Sequence, residues 1–191
     1  MTMTKCEFND FPCVGVDYSS FDKICMKELK EAFDANSIVN SSSFCTSIPI
    51  NKDFQLEHLG TSDYVQSLRG KVGIYHLWVD YDECDDHGLH TVRGIYVGKG
   101  FAKNRIKTHI DTKDIRSGML YVTFFECKNR ISKYLEQLFL DIYKFDLNKR
   151  ENKGTENIYA VWDEERYIHG TELAEIANRY SLRIGPGPYE V

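Results

Sequence analysis

Apolar positions along this chain recur with two different periods, and the switches between them mark out its elements. Phe21, Ile24, Cys25, Leu29, Ala32 and Phe33 recur at helical spacing. Ser19 with Asp22 three residues on resembles a capping box, so a helix is expected from Ser19 to about Asn36. Ser37 to Ser47 is polar and serine-rich and reads as a loop. Thr61 to Arg69, closed by Gly70, reads as a short capped helix.

The pattern then changes to strands. Val72 to Val79 and Arg93 to Val97 are apolar runs that predict two of them, joined through an acidic stretch whose Gly88 suits a hairpin tip. Phe101 to Ile110 has helical spacing, with Ile106 and Ile110 available to a core and Arg105 and His109 four apart on a neighbouring face. Met119 to Cys127 predicts a third strand, in which Leu120, Val122 and Phe124 alternate with Tyr121, Thr123 and Phe125. Asn129 is placed as the cap of a long amphipathic helix on the stripe Ile131, Tyr134, Leu135, Leu138, Phe139 and Ile142, with Glu136 at the margin of the stripe. Ile158 to Trp162 reads as a short strand or edge segment, and Thr171 as the cap of a helix over Glu172 to Tyr180.

The expected fold is α+β: a small three-stranded, mainly antiparallel sheet flanked by helices. It divides as an N-terminal helical extension over 1–70, a core over 71–150 and a C-terminal extension over 151–191. A helix-turn-helix at the C-terminal end is disfavoured, because Gly185-Pro-Gly-Pro188 falls where a recognition helix would be needed.

Composition adds two points. No apolar run is long enough to cross a bilayer and the first residues lack a signal-peptide layout, so a cytoplasmic setting is the expectation. Accordingly, the 6 scattered cysteines, with no C-x-x-C pair, read as free thiols, with Cys25 and Cys127 in the core. Asp80 to His90 contains Cys84, His87 and His90 among carboxylates, but the spacing matches no zinc or calcium loop and reads as a solvated hairpin tip.

Charge changes the picture more. The formal net charge is −5, yet residues 93–150 carry 13 lysines and arginines against 6 acidic residues. A basic segment inside an acidic chain is the footprint of a polyanion site, or else two solvated helix faces.

Overlapping that segment, from Val72 to Asn148, six elements fall in order: Gly73-Ile74-Tyr75 on the first strand, Tyr96-Val97-Gly98 on the second, Arg105 and His109 on the following helix, Glu136 on the long helix and Asn148 just past its end. Together they resemble the GIY-YIG nuclease family over Val72 to Asn148, with valine in the middle of the second signature. His76 to Ile95, between the two signatures, is longer than the family's usual spacing.

The resemblance implies a metal-dependent DNA endonuclease with Tyr75, Tyr96, Arg105, His109 and Glu136 at the catalytic centre. Glu136 would hold Mg²⁺ or Mn²⁺, a hard cation that keeps several waters and needs few protein carboxylates. Arg105 would bind the phosphate through its planar, permanently charged fork. Tyr75 would take a proton from the attacking water, with His109 accepting or relaying it. Lys99, Lys103 and Asn148 would contact substrate, although Asn148 suits better the task of holding the end of the long helix against the sheet. Cleavage of both strands would need a homodimer or two successive nicks. Taken singly, each residue also has an ordinary structural reading, such as a half-buried strand tyrosine or a solvated helix glutamate. A DNA-binding module that does not cut, or an adaptor with acidic ends, therefore stands beside the enzyme.

Overall fold

A computed structural model describes residues 16–29, 33–40, 44–49, 67–112 and 119–169. In chain order the elements are α1 (Ser19–Leu29), α2 (Ala35–Val39), β1 (Phe44–Pro49), β2 (Val72–Cys84), β3 (Leu89–Phe101), α3 (Ala102–Thr112), β4 (Met119–Glu126), α4 (Asn129–Ile142), β5 (Tyr159–Asp163) and α5 (Glu164–His169). The chain is α+β. Its sheet has five strands rather than the expected three, in the order β1-β4-β2-β3-β5, and every pairing of neighbours is antiparallel.

The two additional strands lie at the sheet's edges. β1 pairs along β4 from Phe44↔Phe124 to Pro49↔Met119, so part of the stretch read as a loop is strand. Its sequence, Phe-Cys-Thr-Ser-Ile-Pro, has no clean two-residue alternation to betray it. β5 pairs with β3 only from Leu89 to Arg93, which leaves the rest of β3 to be covered by other means.

The central hairpin is longer than its apolar runs. β2 and β3 stay paired out to Cys84↔Leu89, so most of the acidic insertion is strand and only Asp85 to Gly88 forms the tip. Leu77 pairs with Tyr96 whereas Trp78 pairs with Gly94, which leaves Ile95 as an extra residue in a bulge.

Alternation along these strands sorts side chains onto two faces, each with its own core. On one face Ile74, Trp78, Val97 and Tyr121 pack with Phe21 and Cys25 of α1, Ile38 of α2 and Leu135, Leu138 and Phe139 of α4. On the other, Tyr75, Leu77, Leu120, Val122 and Phe124 pack with Ala102 and Ile106 of α3 and with Leu68. Each large apolar side chain buried this way contributes roughly 1.5–3 kcal/mol, which sets the helices at fixed positions on the sheet. The buried indole of Trp78 donates to Thr123 Oγ1 across the β2–β4 pair (2.9 Å), so its polar atom is satisfied.

Several sequence expectations need correcting at helix ends. The single helix from Ser19 to Asn36 is two helices, α1 and α2. The Asp22 carboxylate does not close a capping box; it accepts from the Ala35 amide (2.8 Å) and so joins the two helices. Asp17 instead accepts from the Ser19 amide (2.8 Å). Asn129 is not the cap of α4: Lys128 holds that position, without a side-chain cap bond. Cys25 and Cys84 are buried free thiols, while Cys127 is only half-buried. The helices expected over Thr61 to Arg69 and Glu172 to Tyr180 fall wholly or mostly outside the described residues, whereas α5 was not anticipated. Among the described residues no helix is long and apolar enough to cross a membrane.

Candidate active site

The β2–β3 register sets Tyr75 directly opposite Gly98. Tyr75 is fully buried, and its ring lies over the space that a side chain at position 98 would fill. A Cβ built on Gly98 would stand 2.5 Å from Tyr75 Oη and 2.8 Å from Tyr96 Cε1. Glycine in the second signature is therefore a steric requirement for seating the tyrosine of the first.

Tyr96, half-buried, packs beside Tyr75 with ring centroids 6.0 Å apart. His109, from the last full turn of α3, closes the group at 4.3 Å from Tyr96 and 6.3 Å from Tyr75. Helix α3 can deliver it because Ala102 and Ile106 anchor that helix on the same face of the sheet. Arg105 lies one turn before His109 and is exposed to solvent. It is near enough to both phenols for its positive charge to favour their ionised forms.

Burial works in the opposite direction and dominates. It pushes Tyr75 far above the ordinary phenol range, an effect reinforced by Tyr96 and only partly offset by Arg105. Tyr96 is raised for the same reason, with Tyr75 and Arg105 opposing. The Tyr75 hydroxyl is shut away from solvent and makes no well-formed hydrogen bond. At neutral pH both residues are neutral phenols, hydrogen-bond donors rather than proton acceptors.

Glu136 belongs to the other face of the sheet. Lys99 pairs with Ile74 in the β2–β3 ladder and so points toward α4, where its ammonium group is ion-paired with the Glu136 carboxylate. Only 13% of the Glu136 side chain is exposed. Burial, then Arg105 and Lys133, push the Lys99 ammonium below the ordinary lysine range, and Glu151 opposes them. Lys99 thus links the two halves of the site, touching the carboxylate on one side and feeling the guanidinium on the other.

Asn148 has a distinct task. Its side-chain amide accepts from the Val97 N–H (3.0 Å) and donates to the Val97 C=O (2.9 Å), as a neighbouring strand would. Leu147 N donates to Ile95 O (2.9 Å) in the same direction. The outer edge of β3, left open where β5 stops, is closed in this way beside Tyr96 and Gly98. Asn152 braces the turn in its turn, accepting from Phe145 N (3.1 Å) and donating to Phe145 O (2.8 Å). With one amide hydrogen and the amide oxygen both engaged by Val97, Asn148 positions the signature strand. Lys103, on the first turn of α3, lines a neighbouring cleft together with Arg69, Gly70, Phe101 and Asn104.

Of the residues picked out in the sequence, the fold brings Tyr75, Tyr96, Arg105 and His109 together on the α3 face. It joins Lys99 to Glu136 on the α4 face, and places Asn148 behind the strand between them. Sequence reading missed Lys133 and Glu151, whose charges reach Lys99, and Asn152, which braces Asn148. Glu151 had one local signal, a left-handed backbone (φ 58°) that a lone sequence does not display.

As to metals, among the described residues no three His, Cys, Asp or Glu gather as a binding cluster, including at the Cys84–His87 turn of the hairpin. Glu136 offers a single carboxylate. That donor set suits a cation that keeps most of its own waters, as Mg²⁺ does, and does not suit zinc. Comparison with models of protein families, with curated proteins and with solved structures finds no match for this chain.

Proposed function

We propose that the protein is a metal-dependent endonuclease of the GIY-YIG type, acting on DNA phosphodiesters at the α3-face surface of Tyr96, Arg105 and His109, with Lys99 and Glu136 contributing from the α4 face at the same end of β3. The observation that carries the reading is the seating of Tyr75 over Gly98, with Tyr96 and His109 packed against it and Arg105 beside them. Two signatures distant in sequence have a common steric purpose there, which chance tripeptides would not.

The roles follow from the environments. Arg105 is exposed and permanently charged, so it is free to take a phosphate through two parallel hydrogen bonds. Tyr96, kept neutral by burial, serves as a donor, and Tyr75 beneath it as part of a rigid floor. The task of proton acceptor falls to His109, whose ring nitrogen can accept a proton without the cost of ionising a buried phenol. Glu136 would hold the divalent cation, which when bound supplies charge neutralisation and a more acidic water. Lys99 would have to give up Glu136 for the cation to enter. The basic stretch over 93–150 would track the backbone, with affinity falling steeply as salt rises. One such site cuts one strand per binding event, so a double-strand break requires a second copy or a second nick.

The Lys99–Glu136 pair also favours a second reading, a DNA-binding module that does not cut, because an ammonium group already sits on the carboxylate. The two separate in one assay. Supercoiled plasmid is incubated with Mg²⁺ and the wild-type protein, Glu136→Gln or Arg105→Ala. Nicking by the wild type that falls at least about a hundredfold in both variants supports the enzyme. Binding without nicking by the wild type supports the module and overturns the nuclease.

A further inference from the structure

The chain turns from β3 into α3 at Gly100, whose φ of +96° a side chain would strain. The turn leaves Phe101, the last residue of β3, with 63% of its surface exposed. Beside it opens a cleft of about 560 Å³, lined by Arg69, Gly70, Phe101, Lys103 and Asn104. Its volume is within the roughly 300–1,000 Å³ of small-ligand clefts. Among the described residues none of those lining it is acidic: two cations and an amide share the cleft with one exposed aromatic ring. A single exposed phenylalanine is unremarkable by itself. A ring set between an arginine and a lysine is the combination that binds unpaired nucleotides, where the base stacks on the aromatic face and the flanking phosphates meet the cations.

We propose that this cleft binds one unpaired nucleotide of a DNA strand, its base stacked on Phe101, its phosphates held by Arg69 and Lys103, and its edge within reach of the Asn104 amide. The inference rests on the nucleic-acid reading above and sharpens it, because it gives the protein a preference for DNA with a single-stranded segment. The placement fits the reacting centre. Phe101 is two residues beyond Lys99, and Lys103 and Asn104 in the first turn of α3 immediately precede Arg105, so the cleft adjoins the stretch of chain that carries the guanidinium. Intact duplex keeps its bases stacked inside and cannot use the ring.

The test measures binding of the full chain in EDTA, so that no cleavage intervenes. The probes are fluorescent oligothymidylate and a blunt duplex of equal length. Phe101→Leu should weaken oligothymidylate about tenfold while changing duplex affinity less than about twofold. Phe101→Trp should restore the difference. Because the ring is exposed, Phe101→Leu leaves both cores intact, and an unchanged melting temperature verifies this. Lys103→Ala should weaken both probes and lower the salt slope by about one. Equal weakening of both probes by Phe101→Leu, or no weakening of either, overturns the cleft assignment and leaves the nuclease reading standing. Competition by thymidine monophosphate as effective as by the oligonucleotide overturns the assignment to a strand in favour of a free nucleotide. A wild-type protein that binds neither probe overturns the cleft and the nucleic-acid reading together.

Discussion

Tyr75 and Gly98 face each other across the β2–β3 pair, and the tyrosine ring occupies the space that glycine leaves empty. The two belong to different signatures, so neither can be judged alone. Their register also brings Tyr96 and, through α3, His109 against the same ring.

Gly98→Ala tests that relationship. The new methyl would meet Tyr75 Oη at 2.5 Å and Cζ at 2.6 Å. Tyr75 is completely buried among Leu77, Phe124 and Ile106, so its ring has no vacant space to swing into. The expected cost is about 1–3 kcal/mol, measured by urea denaturation. If the site cuts DNA, nicking should fall further than this destabilisation explains, since Tyr96 and His109 shift with the ring. A stability change below about 0.5 kcal/mol would show that the tyrosine is not held as described.

Asn148 makes a sharper comparison, because the side chain acts as a short piece of strand. Asn148→Ala removes both bonds to Val97 and leaves a partly covered N–H and C=O without partners, for an expected loss of about 1–3 kcal/mol. Asn148→Asp keeps the acceptor for Val97 N but sets a carboxylate oxygen against Val97 O. Despite its near-identical shape, the aspartate variant should be no more stable than the alanine variant at neutral pH, and should recover as acid protonates it. Equal stability of wild type and aspartate variant across pH would rule out the bidentate pairing.

The same residues show what a single sequence can convey. The two central strands, α3, β4 and α4 were legible because each carries a clear period and buries one face. Tyr75, Tyr96, Arg105 and His109 were singled out through the family resemblance, and two paired strands followed by one helix bring them to one face. The partnership of Lys99 with Glu136 was not, because it depends on which sheet face α4 covers, and periodicity fixes only which face of the helix is buried. β1 was hidden because its pairing with β4 is specified by tertiary contact, not by local alternation. For Asn148 a tie between the end of the long helix and the sheet was legible, but the use of both amide atoms on Val97 appears only when the edge of β3 is seen to lack a strand beyond Arg93.

His76 supplies a prediction about pH. Its imidazole is enclosed by Trp78, Phe139 and Phe145, with ring centroids 5.3, 4.6 and 6.1 Å away, and its Nε2 has no hydrogen-bond partner. Burial alone, with no neighbouring acid to compensate, pushes it down to about 3. Unfolded, it titrates near the ordinary 6.5. Between these values the unfolded chain binds a proton that the folded chain refuses, so stability rises with pH over that range. The His76 contribution is intact above about pH 6.5 and is lost progressively as pH falls toward 3, at up to about 1.4 kcal/mol per unit. His76→Leu, of similar volume and without the orphaned nitrogen, should therefore match or exceed wild-type stability at neutral pH and lose less of it between pH 6 and pH 4. Urea midpoints of the two proteins across that interval measure the difference directly. Parallel curves would mean that the imidazole is not excluded from protons in the folded state, and that the α4 face of the sheet admits water around His76.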